Sequence, residues 1–116
     1  MKGNKKQLGV ARRAHRTRSR MHGTQTKPRL SVKRSLKHIY AQLINDDKGV
    51  TIASASDKDV TTKSSPIETA KEVGKILAER GLAANVETVV FDRGSYRYHG
   101  RVASLADGAR EGGLTF

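Results

Sequence analysis

The chain contains no cysteine and no tryptophan, and its 116 residues include only two prolines and five aromatic side chains. Without cysteine it can form neither a disulfide nor a thiolate metal site, and it offers no cysteine nucleophile. Five aromatic rings are too few for a broad base-stacking platform, because such a platform needs several exposed rings on one sheet. No apolar run approaches the length of a membrane span, and none follows the basic start as a secretory signal requires.

Acidic residues are missing from the first third of the chain. Residues 1–37 hold thirteen lysines and arginines, and the first acidic residue is Asp46. The remaining residues carry ten basic and eleven acidic side chains, so the formal net charge of +12 comes from the first third alone. Such a concentration of like charge opposes compaction and predicts a polyanionic partner, of which nucleic acid is the first candidate. An organelle transit peptide or an anionic membrane surface fits less well, because the apolar face of residues 1–20 is weak.

The composition divides the chain into an arm and a domain. Residues 1–28 contain too few apolar side chains to bury a core, so we predict a basic, nucleic-acid-binding arm. If residues 5–21 become helical, we expect this segment to be frayed when free and ordered when bound, the alternative being a solvated disordered tail. Its last residues, 22–28, contain turn-forming glycine and proline and are predicted to act as a hinge. Residues 29–116 are sufficient for one small globular domain.

Hydrophobic periodicity predicts an α/β fold for that domain. Alternating apolar residues predict strands at 29–33, 38–44 and 50–55, with a hairpin loop at 45–49, and these strands form an antiparallel meander. A helix at 66–80 then leads to a fourth, central strand at 86–91. A strand–helix–strand order implies a right-handed crossover, which places the fourth strand parallel to a neighbour. With a last helix at about 101–111, the prediction is a small mixed four-stranded sheet packed with helices.

The helix at 66–80 carries the clearest local signals. Ser65 is expected to be the N-cap, Pro66 occupies the first helical position, and Glu68 would complete a capping box. Gly81 is expected to stop the helix at its C-terminal end. In the last helix, Gly108 is expected to lower stability by roughly 0.5–1 kcal/mol relative to alanine.

The sequence argues against catalysis. Asp92 and His99 are the one pair with a spacing that would suit acid–base chemistry in a cleft, but no nucleophile accompanies them. The four histidines lack metal-ligand spacing, no acidic cluster suggests a Mg²⁺ site, and no phosphate-binding loop is present. We therefore expect no enzyme, no cofactor and no metal.

Residues 92–101 form the second informative stretch. They join a strand to a helix, so that free N–H groups and the positive end of the helix dipole point toward any partner that binds the loop. Arginines, tyrosines and a histidine supply phosphate donors, stacking faces and ribose hydrogen bonds, and two glycines permit close approach. Alternatively, Tyr96 and Tyr98 cap the core and Arg93 pairs with Asp92. The candidate contact residues of this loop are Arg93, Gly94, Tyr96, Arg97, Tyr98, His99 and Arg101.

The polar face of the first strand is the third basic feature. Arg29, Ser31 and Lys33 alternate with apolar residues, and further polar and basic residues follow. Each is an ordinary exposed residue when taken singly, but together with the arm they are expected to form one continuous basic surface. The residues beyond the strand are Arg34, Ser35, Lys37 and His38.

Residues 29–44 and 90–102, with the C-terminal stretch 106–116, resemble a known family. From about Arg12 to Phe116 the chain is similar to the L-eighteen family of bacterial large-subunit ribosomal proteins, which bind 5S ribosomal RNA. The resemblance implies a non-catalytic protein of the central protuberance of the large (50S) subunit in the cytoplasm. There it would help attach 5S to 23S RNA, beside large-subunit ribosomal protein five, with neither a membrane partner nor a homo-oligomer.

The resemblance also implies which residues contact RNA. They lie in the arm, around the first hairpin and in the loop before the last helix. A general nucleoid-type DNA-binding module is the alternative from the same basic arm, and a metal-free nuclease using Asp92 or His99 is a weaker one. The implied RNA-contacting residues are Arg12, Arg13, Arg16, Arg18, Arg20, Arg29, Lys33, Arg34, Ser35 and His38, with the loop residues 93–101 named above.

Overall fold

The computed structural model describes residues 22–61, 65–94 and 96–116. The arm residues before His22, and with them the predicted arm helix, lie outside this range. No helix in the described ranges is long and apolar enough to cross a membrane. In chain order, the elements are β1 (Arg29–Arg34), β2 (Ile39–Asn45), β3 (Val50–Ser56), a short 3₁₀ turn (Asp57–Asp59), α1 (Pro66–Ala83), β4 (Val90–Asp92) and α2 (Gly100–Glu111).

The four strands form one mixed sheet in the order β3-β2-β1-β4. β1 pairs antiparallel with β2, and β2 pairs antiparallel with β3. β4 lies parallel to β1, with Phe91 opposite Leu30, as the helical crossover requires. The predicted α/β class, the meander and the parallel fourth strand are confirmed, but the prediction that the fourth strand is central is wrong, because β4 lies at the edge of the sheet beside β1.

Alternation along the strands decides which face of the sheet is covered. Leu30 and Val32 of β1 are buried, and so are Ile39, Ala41 and Leu43 of β2. They pack against the buried stripes of α1 and α2, which include Val73, Leu77, Val102 and Leu105. The opposite face carries Lys33, Tyr40 and Gln42.

The N-cap and the first residue of α1 are as predicted, but the Glu68 side chain makes no bond back to Ser65, and the helix ends later than predicted. Ser65 is the N-cap, and its hydroxyl accepts a hydrogen bond from the Glu68 N–H at 3.3 Å, which is the serine half of a capping box. The helix runs through Gly81 to Ala83, so the prediction that Gly81 stops it is wrong. Gly81 is buried, and a Cβ there would lie 2.8 Å from Leu43 Cδ1.

Asn85 ends the helix instead. It has a left-handed backbone with φ of 66°. Its N–H donates to Leu82 O, while the Val86 N–H donates to Gly81 O at 2.8 Å. This is the Schellman arrangement, which satisfies the last carbonyls of the helix. Gly81 therefore serves close packing of α1 on the sheet, while an asparagine supplies the turn.

The predicted fourth strand at 86–91 is too long at its N-terminal end. Only Val90–Asp92 pairs with β1. The residues before it pair with the end of the chain: Thr88 forms a parallel bridge with Thr115, whose N–H donates to Glu87 O at 2.8 Å. Val86 and Val89 are buried, which explains why the segment is as apolar as a central strand.

Glycines bring the two helices together at their crossing. A Cβ on Gly74 would lie 2.1 Å from Leu105 O, and a Cβ on Gly108 would lie 2.0 Å from Lys71 O. Such distances are far below van der Waals contact, and the obstructing atoms belong to the backbone. The expectation that Gly108 only weakens its helix therefore misses its main role, because the missing side chain permits the helix contact.

Replacing Gly108 with alanine should destabilise the protein, although alanine is the better helix former. The new methyl group must push α2 away from Lys71, and overpacking of this kind costs about 1–3 kcal/mol. We expect the midpoint of thermal unfolding to fall, by roughly 4–8 °C for each kcal/mol in a domain of this size. Asp107→Ala, at the exposed neighbouring position, is the control and should leave the midpoint nearly unchanged. A Gly108→Ala variant that melts higher than the natural protein would contradict the packing argument.

Candidate nucleic-acid interface

The predicted contact residues lie in three places. The arm residues Arg12, Arg13, Arg16, Arg18 and Arg20 lie outside the described ranges. Arg29 is at the start of β1, and the others gather at the opposite end of the sheet. That end, here called the cationic end, contains the end of β1, the turn at 35–38, the loop at 93–99 and the first turn of α2. Its basic residues are Lys33, Arg34, Lys37, His38, Arg93, Arg97, His99 and Arg101.

Arg29 lies between two carboxylates. Its Nε and Nη2 donate to Asp46 at 2.9 and 3.0 Å, and its Nη1 donates to Asp92 at 2.8 Å. The Arg29 side chain is 15% exposed and that of Asp92 only 3%. The hydrogen bond to Asp46 raises the pKa of Arg29, and the same bond lowers the pKa of Asp46. Three N–H groups of this guanidinium are thus used inside the protein.

Each of the two carboxylates also accepts a backbone N–H group, from a different segment of the chain. Asp46 accepts the Gly23 N–H at 2.7 Å, which holds the predicted hinge segment against the loop between β2 and β3. Asp92 accepts the Gly94 N–H at 2.8 Å, which fixes the start of the 93–99 loop. The alternative that Arg93 pairs with Asp92 is wrong, because Asp92 is bound by Arg29 and Arg93 donates to Tyr96 O. Arg29 begins β1, and the six residues of this strand (about 20 Å) separate it from the cationic end.

Tyr96 attaches the loop to the end of β1. Its hydroxyl donates to Arg34 O at 3.1 Å and accepts the Arg34 N–H at 3.3 Å, as a neighbouring strand would. The Arg34 guanidinium lies over the Tyr96 ring, 5.2 Å from its centre. Arg93 Nη1 donates to Tyr96 O at 2.6 Å. Tyr96 therefore has a structural part, while Arg34 keeps an exposed charge.

The turn at 35–38 is held from within and from α2. Ser35 N–H donates to His38 O at 2.8 Å, and His38 N–H donates to Ser35 Oγ at 3.2 Å. Arg101 Nη2 donates to Ser35 O at 3.0 Å. The His38 ring contacts Asp57 Oδ2 through Nδ1 at 2.8 Å. Ser35, His38 and Arg101 thus shape the turn, whereas the side chains of Lys33, Lys37 and Arg97 are exposed and make no hydrogen bond to any described residue.

Tyr98 lies on a small aromatic cluster at the end of the chain. Its ring meets the Phe91 ring edge-on at 5.7 Å, and Phe91 stacks on Phe116 at 5.5 Å. Arg110 covers the Phe116 ring at 4.3 Å and donates to the Tyr98 hydroxyl at 2.9 Å. Sequence reasoning did not single out Arg110 or Phe116, because no local pattern links them to Tyr98. Tyr98 remains about half exposed and available for stacking.

The possible acid–base pair has no catalytic arrangement. The Asp92 carboxylate is buried and engaged by Arg29 and Gly94. His99 is exposed at the N-cap position of α2 and makes no side-chain cap bond. In the described ranges no group of three or more histidine, aspartate or glutamate side chains could hold a metal ion.

Comparisons with known proteins agree on one family. The family model described as "Ribosomal L18 of archaea, bacteria, mitoch. and chloroplast" matches residues 4–116. Three curated relatives, each called large ribosomal subunit protein uL18, show the extent of the similarity. The Thermus thermophilus protein is 56% identical over 105 residues, covering 90% of this chain and 93% of its own length. The Leuconostoc mesenteroides protein is 53% identical over 115 residues, covering 99% and 97%. The Staphylococcus aureus protein is 50% identical over 107 residues, covering 90% of each chain.

Proposed function

The chain belongs to the ribosomal L18 family, and from that membership we propose that it binds 5S ribosomal RNA and helps attach it to 23S RNA. It is a structural, rRNA-binding protein of the large ribosomal subunit and not an enzyme. The proposal extends to its neighbours, which would be large-subunit ribosomal protein five and other proteins of the central protuberance.

The cationic end is the observation that supports RNA contact by the domain. Lys33, Arg34 and Arg97 present exposed positive charge on a backbone fixed by Tyr96. Tyr98 adds a half-exposed ring on an aromatic base. The cations can bind phosphates, and the adjacent aromatic face can stack on an unstacked base. Recognition of single-stranded and loop RNA requires this combination.

The predicted contact residues divide into two groups under this proposal. Lys33, Arg34, Arg97, Tyr98 and His99 would contact RNA directly, because their side chains are exposed. The others would shape the surface, because their polar groups are already bonded within the protein. This second group comprises Arg29, Ser35, His38, Arg93, Gly94, Tyr96 and Arg101.

The basic arm would supply the remaining phosphate contacts. Residues 1–28 carry nine lysines and arginines and no acidic residue. They join the domain at the end of the sheet away from the cationic end. Arm and domain would therefore contact separate stretches of one folded RNA, with the arm giving sequence-independent affinity and the domain selecting shape.

A gel-shift comparison tests the function directly. At physiological salt, we expect 5S RNA to be bound at protein concentrations at least about a hundredfold lower than transfer RNA or random duplex DNA, because only 5S RNA fits the domain. Equal affinity for all three would favour a general nucleic-acid-binding module, and 5S RNA that stays unbound would refute the proposal.

A further inference from the structure

Leu36 is 95% exposed at the tip of the turn at 35–38. The next most exposed large apolar side chain in the described ranges, Ile67, is 53% exposed. A single exposed leucine is common and needs no explanation by itself. Two further observations about the surroundings of Leu36 indicate a role in binding.

The first observation is that the backbone presenting Leu36 is fixed. On one side, Ser35 and His38 bond each other twice, at 2.8 and 3.2 Å. From outside the turn, Arg101 binds Ser35 O at 3.0 Å, and the Tyr96 hydroxyl bonds the backbone of Arg34. A side chain on such a turn loses little backbone entropy when a partner covers it, so its burial contributes more fully to affinity.

The second observation is the charge around the tip. Lys37 follows Leu36 directly, and Lys33 and Arg34 precede it by three and two residues, all three being exposed. The nearby carboxylate of Asp57 is buried and contacts His38. A protein partner with an apolar pocket would have to bring its own acidic rim, whereas RNA offers phosphates and flat base or ribose faces together.

We propose that Leu36 packs against an unstacked base or the ribose of bound RNA, while the flanking cations contact the adjacent phosphates. This inference rests on the proposed function and adds an apolar contact to it. An open groove of about 290 Å³ lies beside the tip, lined among others by Leu36, Lys37, Ile39, Pro66 and Thr69. It leaves room for a base displaced from its stack.

Affinity for 5S RNA should be measured for the natural protein, Leu36→Ala and Lys33→Ala across a salt series. We expect Leu36→Ala to weaken binding about tenfold, since most of a buried leucine's transfer free energy is lost. The slope of affinity against salt should not change, because no charge is removed. Lys33→Ala should instead reduce the salt slope by about one, which corresponds to the loss of one phosphate contact.

Leu82→Ala is the matched control. Leu82 is 39% exposed and lies sixteen residues after Pro66 in α1, about 24 Å along the helix from Pro66, which lines the groove beside Leu36. It should bind 5S RNA like the natural protein, and the thermal midpoint of Leu36→Ala should be unchanged. Unaltered binding by Leu36→Ala, or an equal loss in Leu82→Ala, overturns the inference while leaving 5S binding intact. Failure of the natural protein to bind 5S RNA removes the proposed function, and this inference with it.

Discussion

Raising the salt concentration from 50 to 200 mM should weaken binding to 5S RNA about a thousandfold or more. The reason is the charge of the first third of the chain, with thirteen lysines and arginines and no acidic residue. Six to ten phosphate contacts release a corresponding number of counterions, and affinity then falls steeply with salt. A titration by filter binding or fluorescence anisotropy measures this slope. A flat dependence would exclude the arm from the binding mechanism.

Replacing Arg12, Arg13 and Arg16 together with alanine should reduce the steepness of the salt dependence. The slope of log affinity against log salt concentration should become smaller by about two to three. The electrostatic contribution of each phosphate contact to affinity vanishes near 1 M salt. Loss of three such contacts should therefore weaken RNA binding about a hundredfold at 0.15 M salt. The free energy of unfolding of the domain should not change, since the arm is predicted to add nothing to the core. An equal fall in thermal stability would contradict this division of roles.

A charge-matched control separates the arm from net charge alone. Lys48, Lys58 and Lys75 are basic side chains of the domain outside the cationic end. Their joint replacement by alanine removes the same three charges. If the arm contacts phosphates, this variant should lose far less affinity than the arm variant. Equal losses would show that only total charge matters.

Arg29→Ala should lower the free energy of unfolding by about 3–5 kcal/mol. It leaves the carboxylates of Asp46 and Asp92 without their common partner, and the cost is largest for Asp92, which is buried and would keep an uncompensated charge. Urea unfolding followed by circular dichroism measures the change. Arg97→Ala, which removes an exposed arginine without a described partner, is the control and should be near neutral. A loss below about 1 kcal/mol for Arg29→Ala would show that this cluster adds little.

The same cluster predicts the acid sensitivity of the fold. The Arg29 hydrogen bond holds the pKa of Asp46 below its usual 3.8. A lowered pKa in the folded state stabilises the protein above the unfolded value, and this contribution disappears as pH falls through the folded value. We therefore expect stability to decline from about pH 4 downward. In Arg29→Ala the part of this decline that comes from Asp46 should be smaller, which parallel unfolding curves at pH 3 and pH 6 would detect.

Local signals in the sequence were sufficient for most of the fold. Alternation in 29–44 predicted both strands to within a residue and the face each buries, because a period of two depends only on neighbouring residues. Ser65 and Pro66 fixed the start of α1 for a similar reason, since a cap is a bond between residues three apart. Gly81 and the fourth strand were misjudged because their neighbours, Leu43 and Thr115, are far away in the chain.

The candidate site shows the same limit. Its residue types and loop positions could be read from the sequence, but the internal bonds of Arg29, Arg101 and Tyr96 could not. Arg29 meets Asp92 across 63 residues, and Tyr96 meets Arg34 across 62. The exposure of Leu36 indicates a binding role only together with the hydrogen bonds that fix the turn at 35–38, and one of these comes from Arg101, far along the chain.

The sequence by itself determined the separation of charge, the α/β class, the starts of the helices and the absence of thiol chemistry. Each of these follows from composition or from residues a few positions apart. Only the tertiary structure decided which cations face outward and which are neutralised, and why Gly74 and Gly108 carry no side chain. These depend on distances between backbone segments that folding brings together, and no short stretch of sequence encodes such a distance.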